Sequence, residues 1–322
     1  MMAVKILIGS LLGLLIVTTS GVLPVVVARY KHLHTATNYH LCVMSIADCV
    51  VGLLFIFYPW MRTFWPSLAF SGVLCALLLL VNLACSTVSN VTMFWLALDR
   101  RTAVRNPLLY PLLVTRFTVR RQLLQTLGLV LVLAGYVITS RLLTGPSFPD
   151  EISQCFLSWQ LVFGHVGTLV SNGVNLVLSC ATIFLCVEVL LVARRTSRSN
   201  VAALPHELAE RARLRKHVRT FYYLLRVMVL YGVCLIPFSV SSLLKAFMGL
   251  KASLEDGATP GGGAEAASVL TMDSEEPQLW WIVLAVLRGA FHLVDSWLFC
   301  SSPELRHAIL HYFGGDRFDL YP

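Results

Sequence analysis

Apolar residues in this chain run in long blocks instead of alternating with polar ones. A helix needs about 20 residues to cross a ~30 Å hydrocarbon core. Seven blocks are that long: 4–28, 39–61, 72–98, 123–143, 157–193, 220–247 and 279–300. They lack a period of two and exceed the length of a barrel strand, so the pattern predicts helices. The fifth and sixth are longer than one crossing and should tilt or protrude. The first is too long for the apolar core of a signal peptide, and Arg29-Tyr-Lys-His follows it where a small-residue cleavage site would stand. Beyond the last block, Ser302-Pro303-Glu304 reads as a helix start, with a capping hydroxyl, proline at the first helical position and an acid near the dipole. Leu305, Ile309, Tyr312 and Phe313 then share a face, which predicts an interfacial helix over 302–313. The expected fold is an all-α membrane protein, a seven-transmembrane helix bundle with a short C-terminal interfacial helix, forming a single domain over 1–322.

Composition agrees with the pattern. Hydrophobic residues make up 57% of the 322 and charged ones 13%, about half the charged share of a soluble domain. The net charge of +8 is unevenly placed. With the N-terminus outside, most lysines and arginines fall in inner segments: Arg29 and Lys31, a group between 100 and 121, a group between 194 and 219, then Arg306 and Arg317. Lys5, Arg62, Arg141, Lys245 and Lys251 are left outside. The positive-inside rule therefore orients the chain with its N-terminus extracellular and its C-terminus cytoplasmic. The basic loops read as topology and attraction to anionic lipid, not as a nucleic-acid surface. The longest outer connection, 249–278, is rich in Gly, Ala and Glu and reads as a flexible acidic loop.

The informative residues are the polar ones at membrane depth, since ionisable groups there are costly and usually functional. Asp48 lies in the second block. Asn82, Ser86, Ser89 and Arg100 follow helical spacing on one face of the third, and Arg288, His292 and Asp295 do the same in the seventh. Ser86 and Asn82 also fit a role as interhelical hydrogen-bond glue. Two carboxylates in one low-dielectric site require a cation, a shared proton or a basic partner. Asp48, Asp295 and Ser89 are thus candidates to surround Na⁺ or a proton, with His292 and Arg288 as alternative partners. Of nine cysteines, only Cys75 and Cys155 fall at outer positions. That face is oxidising, so a disulfide between them is expected, the alternative being two free thiols. The other seven read as membrane-buried small residues.

Taken together, seven spans, an outer Cys75 with a loop Cys155, Ser45-Ile46-Ala47-Asp48, and Asp99-Arg100-Arg101 resemble a rhodopsin-like (class A) G-protein-coupled receptor. Cys75 precedes Arg100 by 25 positions and Ser89 precedes it by eleven, as in that family. The loop Ala-Val-Arg-Asn-Pro-Leu-Leu-Tyr-Pro at 103–111 matches the family's second inner loop. The resemblance implies that Asp99 restrains Arg100 at rest, with Arg101 where a tyrosine is usual. It also implies that outward bending of the sixth helix at Pro237 releases Arg100 toward a heterotrimeric G protein.

This chain departs from the family pattern at several points. The sixth span reads Cys234-Leu235-Ile236-Pro237, without the aromatic toggle. The seventh reads Asp295-Ser296-Trp297-Leu298-Phe299, without the usual proline and tyrosine. Ser20 replaces the first-span asparagine. No tryptophan marks the fourth span and no proline the fifth, and no acid stands near the base of the sixth, where His217 falls. Asn82 occupies the place where amine receptors carry an aspartate, which argues against an amine ligand. The seventh span has no lysine for a retinal Schiff base, because Arg288 stays protonated. A small ligand inside the bundle is expected, lined by Asn82, Ser86, Arg288 and His292, with Arg288 pairing either an anionic ligand group or Asp295. Short matches to adenosine and olfactory receptors assign no subfamily.

Three functions compete. The first is a plasma-membrane receptor that senses a small extracellular ligand and activates a G protein. The second is a receptor-like partner or decoy that does not signal. The third is a cation- or proton-coupled transporter, which an odd number of spans without internal repeats argues against. An enzyme has no support, since no catalytic cluster appears, and no cofactor is expected beyond the candidate Na⁺.

Overall fold

The computed structural model describes residues 2–69, 71–106, 109–144, 159–198, 239–251 and 303–314, with single positions at 229, 232, 233, 236, 237, 289 and 292. The elements are helical: α1 (Met2–Arg29), a 3-10 turn (Lys31–Leu33), α2 (Ala36–Phe64), the short α3 (Pro66–Ala69), α4 (Gly72–Arg105), the short α5 (Tyr110–Leu113), α6 (Arg116–Thr144), α7 (Trp159–Arg198) and α8 (Pro303–Gly314). Residues 239–251 are helical as well. Five helices are long and apolar enough to cross a membrane: Ile6–Arg29, Ala36–Phe64, Gly72–Arg105, Arg116–Leu143 and Val162–Val192. Most of the sixth and seventh expected spans, and the acidic loop 249–278 beyond Lys251, lie outside the described residues.

The helices outrun their apolar blocks. The third crossing, expected to end at 98, continues as α4 to Arg105. At 1.5 Å per residue, its 34 residues reach about 50 Å, well beyond the hydrocarbon core. The charged inner end of α4 is therefore helix too, and its side chains have fixed directions. The fourth, expected from 123, begins at Arg116. The helix stops where backbone chemistry requires: Asn106 caps α4, its N–H donating to the Thr102 carbonyl, and Pro107 cannot extend it.

Packing follows the bilayer's logic. Large apolar side chains such as Leu124, Leu127, Leu131 and Val132 on α6 point outward, where lipid replaces the protein core. Cys180 is on the outside of α7 as well, within its membrane-spanning stretch. Helices then associate by close fit more than by the hydrophobic effect. At the α1–α2 contact a Cβ on Gly13 would lie 2.6 Å from both the Gly52 carbonyl oxygen and Ile56 Cγ1, so only glycine allows this approach. The stacked pair Trp60 and Phe64, followed by Trp65, ends α2 on the side away from the basic loops, as an interfacial aromatic anchor would.

The end of the bundle where α1 finishes and α8 lies is tied together. Leu23, Val26 and Val27 of α1, Leu41 and Met44 of α2, Met93 and Leu96 of α4, and Leu305 and Ala308 of α8 form one buried cluster. The phenol of Tyr30 lies 2.9 Å from His311 Nδ1 and the rings meet edge to face, docking α8 beneath α1. α7 is nearly continuous but breaks at Gly164, whose φ of 70° is a left-handed value that favours glycine.

Candidate functional site

The acid–arginine step sits toward the C-terminal end of α4, facing α2. Two local features bring its partners in. Thr35 caps α2 by accepting a hydrogen bond from the Asn38 N–H, which sets Thr37 in the first turn beside α4. After α4 ends, the Tyr110 N–H donates to the Asn106 carbonyl at 2.9 Å, folding the loop back so that α5 returns its first side chain to the helix it has just left. Asp99 and Arg100 are each 7% exposed. Arg100 Nη2 lies 2.9 Å from Asp99 Oδ2. The same oxygen accepts from the Thr37 hydroxyl at 3.0 Å, while Asp99 Oδ1 accepts from the Tyr110 phenol at 2.8 Å. Arg100 Nη2 also donates to Thr37.

This arrangement resolves a cost. A buried ion pair repays its desolvation only when further hydrogen bonds satisfy the remaining lone pairs. Here the carboxylate has three donors, and the threonine hydroxyl both gives and accepts. Burial first, and the adjoining Asp99 carboxylate second, push the Tyr110 phenol well above its ordinary value. It therefore stays a proton donor at any physiological pH.

Arg101, grouped in the sequence with Asp99 and Arg100, points elsewhere. One residue along a helix turns the side chain by about 100°, and Arg101 Nε lies 2.8 Å from Glu188 Oε2 on α7. Arg105, one turn further, pairs with the other oxygen of Glu188. The consecutive arginines thus serve two helices.

At mid-depth, Asp48 is 0% and His292 3% exposed. Asp48 Oδ1 is 2.7 Å from His292 Nδ1. Of the alternative partners expected for the carboxylates, the structure brings His292 to Asp48. Ser89 is buried on α4, and its hydroxyl makes no hydrogen bond among the described residues. Asn82 is buried and Ser86 half-buried on the same helix. Pro237 is helical and half-buried. Cys75 is disulfide-bonded. Cys155, Arg288 and Asp295 lie outside the described residues. Among the described residues no group of three or more His, Cys, Asp or Glu is placed to hold a metal ion.

Sequence reasoning missed several members. Thr37, Tyr110 and Glu188 are visible only once helices pack, although Glu188 does interrupt the apolar run Leu-Cys-Val-Glu-Val-Leu-Leu. A stripe on α7 was legible from spacing alone: Thr168, Ser171, Asn175, Ser179 and Thr182 recur at three- and four-residue steps and are all buried. Asn90 Nδ2 donates to Asn175 Oδ1 at 2.6 Å, tying that stripe to α4.

Long apolar helices with buried charge gathered at mid-depth and at one end define a membrane-embedded helical protein. Comparison with known proteins makes this specific. Over residues 20–261 the chain matches the family described as 7 transmembrane receptor (rhodopsin family), and it belongs to that family. It is 28% identical over 248 residues to trace amine-associated receptor 5 of Homo sapiens, covering 73% of this chain and 70% of that protein. It is 28% identical over 196 residues to the histamine H2 receptor of Cavia porcellus (58% and 53%). It is 26% identical over 227 residues to the alpha-1A adrenergic receptor of Canis lupus familiaris (66% and 72%). The chain is a divergent G-protein-coupled receptor for a small ligand, multi-pass in the membrane, and not an enzyme. The family implies a seven-helix bundle.

Proposed function

We propose that this receptor sits in the plasma membrane with its N-terminus outside and transmits binding of a small extracellular ligand by releasing Arg100 from Asp99 toward a heterotrimeric G protein. The observation that carries the reading is the buried Asp99–Arg100 pair held by Thr37 and Tyr110. A charge so completely neutralised is a resting state, and ligand binding acts by shifting the population away from it. The ligand would enter the outer half of the bundle near Asn82 and Ser86, with Arg288 as a candidate anion partner. The relatives named above are receptors for trace amines, histamine and adrenergic ligands by their names, yet Asn82 supplies no carboxylate to pair an ammonium. We therefore assign a ligand recognised through hydrogen bonds or an anionic group. Cys155 is the proposed disulfide partner of Cys75. For the buried Asp48 carboxylate, the proximity of His292 supports the imidazole as counter-charge over a bound Na⁺ at Asp48, Ser89 and Asp295.

The test is G-protein activation in cells across coupling classes, wild type against Arg100→Ala at matched surface amounts. Activity present in wild type and lost in the variant supports the switch. Equal activity in the two would remove Arg100 from the mechanism. The altered sequences at 234–237 and 295–299 favour one second reading, a receptor-like partner or decoy that binds without signalling.

A further inference from the structure

Three arginines crowd the last two turns of α4, but only Arg100 is used by the switch described above. Arg101 and Arg105 stand one turn apart and converge on a single carboxylate of another helix: Arg101 Nε is 2.8 Å from Glu188 Oε2, and Arg105 Nη2 contacts Oε1. Beneath them Val104 of α4 and Val189 of α7 are buried in one cluster, with Leu190 and Val192 packed against it. The carboxylate therefore closes the mouth of an apolar seam between the third and fifth crossings. Its side chain is 19% exposed, against 36% for Arg101 and 49% for Arg105, so the acid is the sheltered centre and the bases are its outer arms.

The electrostatics are asymmetric. Deleting one arginine leaves the other to hold Glu188. Deleting the charge of Glu188 removes the attraction of both arginines across the seam at once and leaves the like charges of Arg101 and Arg105, one turn apart on α4, without that acid between them. Such a centre is a latch with a sharp failure mode.

We propose that Glu188 is the resting-state restraint between α4 and α7: gripped by Arg101 and Arg105, it holds the inner ends of the third and fifth crossings together and thereby keeps basal signalling low. The proposal rests, for its signalling half, on the coupling reading given above. It assigns a positioning role to Glu188, and it gives Arg101 a function on α7 separate from that of Arg100.

The experiment uses the full-length receptor with spectroscopic labels at the exposed positions 106 and 191, read as a distance distribution, alongside basal G-protein activation at matched surface amounts. Glu188→Gln should lengthen and broaden the distance and raise basal activity by roughly threefold to fivefold, the scale of a partly exposed ion pair. Arg105→Ala should do so by less than twofold. The exchange of charges, Glu188→Arg with Arg101→Glu and Arg105→Glu, should restore both readouts toward wild type, which a loss of folding would not. An unchanged distance in Glu188→Gln overturns the proposal. So does a raised basal signal in Asp99→Asn beside an unchanged one in Glu188→Gln. A lengthened distance with no signal from any variant, Asp99→Asn included, supports the latch and overturns the coupling reading instead.

Discussion

Two buried acids of this receptor, Asp99 at the inner end of α4 and Asp48 at mid-depth, solve the same problem differently. Asp99 has three donors from three elements: Arg100 of its own helix, Thr37 of α2 and Tyr110 of the loop helix α5. Asp48 has a close pairing with one ring, His292, more than two hundred residues away in sequence. The first is a distributed network that tolerates the loss of one hydrogen bond. The second is a short contact between segments far apart in the chain. Redundancy suits a part that must let go of one contact and remain folded. A close contact between distant segments suits a part that fixes how helices sit.

The largest expected effect breaks the pair at mid-depth. Asp48→Ala or His292→Ala, each alone, removes one side of a buried acid–imidazole contact and should cost about 3–5 kcal/mol. The readout is thermal stability of the detergent-solubilised receptor and its surface amount. Asp48→Leu combined with His292→Leu should recover a large part of that loss, because paired apolar replacement of a buried pair is often nearly neutral. Equal damage from single and double variants would contradict the pair.

Tyr110→Phe sharpens the other side of the comparison. It removes one donor of three and should cost about 1 kcal/mol, seen as a modest fall in stability and a rise in basal signal. Its pH dependence has a definite sign. The folded phenol titrates above the unfolded one, so the contact contributes fully at neutral pH. Its contribution declines only as pH climbs past the unfolded value of about 10. Stability of wild type and Tyr110→Phe should therefore differ by a constant amount from pH 6 to 9. A difference that shrank within this range would show that the phenol is not held as described.

The smallest effect belongs to Arg105→Ala. This half-exposed arginine shares Glu188 with Arg101, and its loss should change stability by less than about 1 kcal/mol, fading further at high salt. A salt-insensitive loss would point to packing of the arginine stem instead.

How much of this was legible in the sequence depends on the range of the interaction. Five of the crossings follow from apolar length, and the inner ends of α4 and α6 were drawn short only because charge was taken as the end of helix, whereas a helix in headgroups can continue through Arg100, Arg101 and Arg105. Asp99, Arg100 and Asp48 were visible because ionisable groups in apolar surroundings are conspicuous. The partners of Asp99 other than Arg100 were not, whereas His292 already stood among the alternative partners of Asp48. Thr37 and Tyr110 are ordinary residues in a first turn and a loop, made important by helix packing and by the turn that Asn106 accepts. Arg101 meets α7 because adjacency in sequence is a rotation of about 100° on a helix. His292 was one of two alternative basic partners, and periodicity does not say which of them the Asp48 carboxylate meets.

The measurement that tests the account most directly is basal G-protein activation by wild type, Asp99→Asn and Arg100→Ala, matched for surface amount. The account predicts opposite changes: Asp99→Asn frees the arginine and raises the signal above wild type, and Arg100→Ala drops it to background. Two variants that move the signal together, or neither of which moves it, would contradict the claim that this buried pair is the switch.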